Sequence, residues 1–256
     1  MTMRTIVIIS TIFISFSCSI QMKKDSKISK FDKAMKYFDE GKYSKARDNF
    51  ELVLNDEIYN NNARFYYAES LFNLKKYEEA KNQYNEFIIN SLTDSELIEY
   101  SRYRFCLSQY NSLSGYSKDS KEILNSIDQI QFFIEAYKNS KHKNELVNLI
   151  SDLRNKLARK EFESGRLYLK LEQYDASRVY MNNIIKSFYD TDYVEDAIIG
   201  IIISLCFENK YDKARAIYNN NLEKISSEKS LVFVDKLLNS SRVGLLAMYK
   251  VYIKWN

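Results

Sequence analysis

The sequence predicts an all-α fold, a solenoid of about five helix pairs closed by a C-terminal helical cap. Three observations predict it. Tyr43, Ala46 and Phe50 recur as Tyr77, Ala80 and Tyr84, each displaced by 34 residues, a period that belongs to helix-turn-helix repeats. The 256 residues include no proline and five glycines, so long helices joined by short turns meet few breakers. Leu146, Ile150, Leu153 and Leu157 lie at helical spacing within a breaker-poor stretch over 144–172.

The period is that of a tetratricopeptide repeat, in which a small residue lets two helices approach and aromatic residues fill the space between successive pairs. A first repeat starting at Lys27 puts Gly41 at the turn between its helices, Ala34 in the small slot of the first helix and Ala46 in that of the second. The second repeat starts at Asn61 and sets Ala68, Lys75 and Ala80 in the same places. A third pair begins near Glu99 after an insertion at 91–95, with Cys106 in the small slot, a longer loop over 112–119 and a helix over 120–138. Beyond His142 a single helix over 144–172, about 43 Å long at 1.5 Å per residue, is expected to tie front repeats to back ones. Its later half opens repeat four, with Gly165 in the small slot, Tyr174 starting the next helix and Ser177 in place of alanine. Tyr211, Ala214 and Tyr218 mark repeat five. The expected division is therefore front repeats over 27–138, back repeats over 139–222 and a cap over 223–256. A closing helix pair is the reading of the tail's Leu231, Val234, Leu237, Leu245, Tyr249, Tyr252 and Trp255, and contact with a partner is the alternative.

The N-terminus speaks to location. One cation, Arg4, precedes an apolar run of about eleven residues, too short to cross a bilayer and suited to a secretory signal over 1–17. Ser15-Phe16-Ser17-Cys18 resembles a bacterial lipoprotein cleavage box, which makes Cys18 the lipidated first residue and 18–26 a polar tether. Acyl chains there would anchor the protein to a membrane face without embedding it. By the same resemblance, Ser19 and Ile20, neither of them acidic, imply sorting to the outer membrane. An ordinary signal with an incidental cysteine is the alternative.

Charge and chemistry exclude several classes. Removing Arg4 with the signal leaves 37 cations against 34 anions, a near balance with no basic stripe of the kind nucleic acid needs. Cys106 and Cys206 sit in apolar helical patterns and read as small buried hydrophobes. The single histidine, His142, falls in a lysine-rich turn and reads as a solvated loop residue, and the isolated glycines compose neither a phosphate loop nor a nucleophile elbow. One His and two separated Cys make no metal site, so neither cofactor nor catalysis is expected. Glu78 with Lys81 and Asp175 with Arg178 read as helix-surface pairs.

Arg154-Asn155-Lys156-Leu157-Ala158-Arg159-Lys160-Glu161, continuing through Gly165, Tyr168, Lys170 and Tyr174, resembles the R-x-x-L-A-x-x-E stretch of the BamD family of outer-membrane assembly lipoproteins. Tyr137-Lys138-Asn139-Ser140 and Phe188-Tyr189-Asp190-Thr191 keep the frame of that family's Tyr-Pro-x-Ser/Thr turns without the proline. The resemblance covers roughly 27–221. It implies a periplasmic scaffold of the machinery that inserts β-barrel proteins, partnered with a BamA-type barrel through its back repeats and with unfolded barrel substrates through its front ones. A periplasmic adaptor coordinating cell-wall synthesis with constriction, and a nutrient-binding surface lipoprotein, are the alternative readings.

The fifth and twelfth slots of each first helix are expected to face the groove. They hold Phe31 and Phe38, Phe65 and Phe72, and Tyr103 and Tyr110 in the front repeats, against Phe162 and Leu169, then Ile199 and Cys206, behind. An aromatic ladder in the front half suits capture of an extended aromatic-rich chain, since rings offer large area at low entropic cost. Packing into the repeat core is the competing role for the same side chains.

Overall fold

The computed structural model describes residues 30–55, 60–91, 96–113 and 119–239. Cys18, the signal and tether regions, and the tail after Asn239 lie outside them. All regular structure among the described residues is helical: α1 (30–39), α2 (Tyr43–Glu51), α3 (Asn60–Asn73), α4 (Tyr77–Asn90), α5 (Glu96–Ser112), α6 (Ser120–Ala136), α7 (Lys143–Lys170), α8 (Tyr174–Ser187), α9 (Val194–Phe207), α10 (Tyr211–Asn220), a short 3₁₀ turn (Leu222–Lys224) and α11 (Glu228–Leu238). Two compact units share them, one of 30–113 with 129–142, the other of 119–128 with 143–239.

Four helix pairs close through one backbone device. Gly41, Lys75, Glu172 and Asn209 each take φ near +60 to +70° just after a first helix. The next residue then donates its N–H to a carbonyl five positions back: Lys42 to Tyr37 (2.8 Å), Lys76 to Leu71 (2.9 Å), Gln173 to Tyr168 (2.9 Å) and Lys210 to Leu205 (2.9 Å). The left-handed residues bond three back, to Phe38, Phe72, Leu169 and Cys206. These paired bonds cap the outgoing helix and aim the chain into the next one, which starts one residue later at Tyr43, Tyr77, Tyr174 or Tyr211. Sequence periodicity located the turns, yet glycine occupies only the first of them.

Small residues then let the paired helices meet. Ala34, Ala46, Ala68, Ala80, Ser177 and Ala214 have no exposed surface, and Cys106 is 2 % exposed in the slot expected for it. In the front unit Ala34, Ala46, Phe50, Val53 and Ala63 form one core, and Ala68, Leu71, Ala80, Tyr84 and Phe87 form the next. Helices pack in chain order, α2 on α3, α3 on α4 and α4 on α5.

The second unit repeats the scheme around α9, whose run Ala197–Cys206 is buried throughout. Helix α7 is one uninterrupted element of 28 residues, about 42 Å long. Gly165 on α7 and Gly200 on α9 both face Met181 of α8, and a Cβ built on either would lie 2.8 or 3.0 Å from its Cε. A flexible thioether thus fills the space that two absent side chains leave. At the end of the described residues α11 packs on α9 and α10 through Val234, Leu237 and Leu238. Glu195 receives the N–H groups of Ser226 (2.9 Å) and Ser227 (3.4 Å) at its start, and Arg215 donates to the Leu238 carbonyl (2.9 Å) at its end.

Because nothing lies within 4 Å of the position a Gly41 Cβ would take, Gly41→Ala tests the backbone alone. It is expected to cost about 1 kcal/mol, whereas Lys75→Gly and Glu172→Gly each gain about 0.5 to 1 kcal/mol, read from urea unfolding midpoints.

Candidate functional site

The six aromatic positions expected along the groove divide by burial. Phe65 and Tyr103 are only 6 % and 8 % exposed, so they belong to the packed interior and offer no contact surface. The fifth-slot residues Phe162 and Ile199 are buried too, whereas Phe31 in the first helix is half-buried. The physical reason is that this slot lies three residues before the small slot, on the same helical face, where neighbouring helices come closest. Phe31, Phe38, Phe72 and Tyr110 are half-buried, whereas their twelfth-slot counterparts Leu169 and Cys206 in the second unit are buried.

The two central rings are held from several sides. Phe38 meets Tyr43, Phe50 and Tyr66 edge-on, with centroids 5.5, 6.4 and 5.3 Å away. Phe72 meets Tyr77 at 5.3 Å, the same contact one repeat on, and carries the Arg104 guanidinium over its face, 3.5 Å from the centroid. Truncating either ring therefore removes packing as well as any contact surface.

Arg104 is the element that sequence reading missed. From α5 it donates to both oxygens of Glu69 on α3, Nε at 2.8 Å and Nη2 at 2.9 Å, while the Tyr84 hydroxyl on α4 donates to the same carboxylate at 2.5 Å. Glu69 and Arg104 side chains are 9 % and 12 % exposed. Burial, beside the Glu69 charge, pushes the Tyr84 phenol well above its ordinary range. Three helices of two repeats thus converge on one carboxylate. The partners lie 15 and 35 residues from Glu69, beyond any helix-surface spacing, and no local pattern announces them.

In the second unit the two family-like stretches form one structure. Arg154 grips Asp190 through Nε (2.8 Å) and Nη2 (2.6 Å) and donates to the Ser187 carbonyl at 2.8 Å, and the Asn155 side chain accepts the Asp192 N–H at 2.9 Å. The R-x-x-L-A-x-x-E stretch therefore ties α7 to the turn between α8 and α9, with Leu157 and Ala158 in the core and Glu161 accepting from Asn183 (2.9 Å). Thr191 closes that turn by bonding the Phe188 carbonyl from both its N–H (3.1 Å) and its hydroxyl (2.7 Å), which fixes the bend where the family places proline.

Two smaller expectations change. His142 is not a solvated loop residue: it is half-buried and stacks on Tyr103, centroids 3.8 Å apart and planes 15° from parallel. Arg178 does pair with Asp175 but also reaches Ser204 on α9 (3.0 Å) and Glu208 just after it, so it joins two helices. Both remaining cysteines are free and buried, their thiols pushed up by burial to about 12 for Cys106 and about 11 for Cys206. Among the described residues no group of His, Cys, Asp and Glu is placed to hold a metal ion, and no helix is long and apolar enough to cross a membrane.

Stacked helix pairs joined by side-chain ties across repeats define a helical-repeat scaffold. The chain belongs to the YfiO family of outer membrane lipoproteins, the BamD-like family, whose model matches residues 23–207. It is similar to the outer membrane protein assembly factor BamD of Rickettsia prowazekii (strain Madrid E), 28 % identical over 181 residues that cover 69 % of this chain and 71 % of that relative.

Removing one member of the buried Glu69–Arg104 pair leaves a charge without its partner. Glu69→Met and Arg104→Met are each expected to cost about 3 to 5 kcal/mol, and the double variant less than the worse single one, in a denaturation cycle. Two carboxylates of the second unit give opposite pH dependence. Hydrogen bonds from Arg154 hold Asp190 below its usual 3.8, so its stabilisation is complete above that value and fades as pH falls through the lower folded one. Burial raises Asp196 to about 6, so its contribution is greatest below about 4 and is lost as pH rises through 6. Asp190→Asn should flatten the acid limb of the stability profile, and Asp196→Asn the limb between pH 4 and 6, in melting temperatures taken from pH 3 to 8.

Proposed function

We infer that this protein is a lipid-anchored scaffold on the periplasmic face of the outer membrane, part of the machinery that assembles β-barrel proteins. It binds a BamA-type barrel and receives unfolded barrel substrates, and it performs no chemistry of its own. The observation that carries this reading is the family match over 23–207, which takes in both units, together with similarity to a relative named as an outer membrane protein assembly factor. Cys18 would supply the anchor. The second unit would dock the barrel partner, and the half-buried Phe31, Phe38, Phe72 and Tyr110 of the front unit would meet substrate.

A tagged full-length chain, recovered from detergent-solubilised envelopes, should bring down a BamA-type barrel as its dominant partner. A cell-wall synthase or an outer-membrane transporter in that place would transfer the protein to an adaptor or a nutrient-uptake role. Because Phe38 and Phe72 also pack against neighbours, the substrate test uses leucine, which keeps apolar volume and removes the ring. Phe38→Leu with Phe72→Leu is expected to weaken a barrel-derived C-terminal peptide by about 1 to 2 kcal/mol while far-UV circular dichroism stays unchanged. Undiminished affinity would return both rings to a packing role.

A further inference from the structure

The front unit carries a second feature that this line of aromatics does not use. A cleft of about 560 Å³ opens between the start of α5 and the 137–142 turn, with Glu96, Glu99 and Tyr100 on one wall and Ser140, Lys141 and His142 on the other. Ligand sites commonly occupy roughly 300 to 1,000 Å³, so the space suits a side chain with the backbone that bears it.

Its aromatic corner is fixed from behind. His142 lies flat on the buried Tyr103, and the Tyr100 ring stands 5.9 Å from both and 6.1 Å from the buried Phe65. Neither ring needs to be ordered by an incoming ligand. Glu96 is exposed and Glu99 half-buried, and among the described residues neither carboxylate has a hydrogen-bond or ion-pair partner. Negative charge at a helix start is favourable in itself, but that does not call for an open aromatic wall beside it. The faces of aromatic rings attract cations, and adjacent uncompensated carboxylates add to the pull. A planar guanidinium can satisfy both at once, stacking on a ring while its edge pairs with a carboxylate.

We propose that this cleft receives an arginine side chain of an extended polypeptide, the guanidinium lying on Tyr100 and pairing with Glu96 or Glu99. Lys141 on the opposite wall sets the direction of the segment, since it repels a second cation and can donate to a carboxylate or an amide oxygen. The proposal rests on the reading of the front unit as a receiver of unfolded chains and names a chemical preference for it. Neither Phe38 nor Phe72 lines the cleft, and the pull-down that tests the proposed function does not read it, so the two can fail independently.

The test uses the soluble chain from residue 19 onward and two fluorescein-labelled dodecapeptides of Gly, Ser and Thr, one with a central Arg-Tyr pair and one with Gln-Tyr. Fluorescence anisotropy at low salt should show the arginine peptide binding at least tenfold tighter. Glu96→Gln with Glu99→Gln, which keeps the size of both side chains, should abolish that preference while the melting temperature holds. Equal binding of the two peptides to the unmodified protein, no binding of either, or a preference that survives the double glutamine variant would each overturn the proposal.

Discussion

The structure depends on a backbone constraint repeated at four turns between paired helices among the described residues. A helix must end, reverse and start again within three residues, which requires one residue in the left-handed region and an N–H that reaches five positions back. Gly41 meets the requirement without strain, whereas Lys75, Glu172 and Asn209 meet it against the preference of a Cβ. That three side chains are held there shows the surrounding packing to be stronger than the local penalty. The turns fix the angle between paired helices, and the small slots at Ala34, Ala46, Ala68, Ala80, Ser177 and Ala214 can then be filled by contact.

Between pairs a different kind of interaction takes over. In the front unit Glu69 gathers Tyr84 and Arg104 from two other helices, and in the second unit Arg154, Asn155 and Arg178 join helices and turns far apart in sequence. Repeat proteins have only neighbour-to-neighbour interfaces to stabilise them, so such ties bear directly on how firmly successive repeats hold their register. Register matters to a scaffold because its contact surface is made of residues contributed by several repeats. Arg104 joins the two roles in one side chain: it anchors Glu69 and covers Phe72, a candidate contact residue.

Much of this was legible in the sequence because the repeat imposes local patterns. The 34-residue recurrence located α1 to α4, the breaker-poor stretch gave α7, and Tyr211 with Ala214 gave α10. What stayed hidden depends on angle around a helix or on distance along the chain. Phe65 and Phe38 are both aromatic at groove-type slots, yet only the packing of α3 on its neighbours decides that the first is buried and the second half-open. Tyr103 and His142 are 39 positions apart, and their stacking changes a residue read as solvated into one wall of a cleft. The family stretch beginning at Arg154 was visible as a string of letters, but its work as a grip on the Asp190 turn was not, because the partner sits 36 residues away.

The most direct test of the account is native-state hydrogen exchange on the full chain, followed at the amides of Lys42, Lys76, Gln173 and Lys210. If the reversing turns are integral to each helix pair, these four N–H groups exchange as slowly as the helices they close. Exchange at unprotected rates, with the flanking helices still protected, would contradict it.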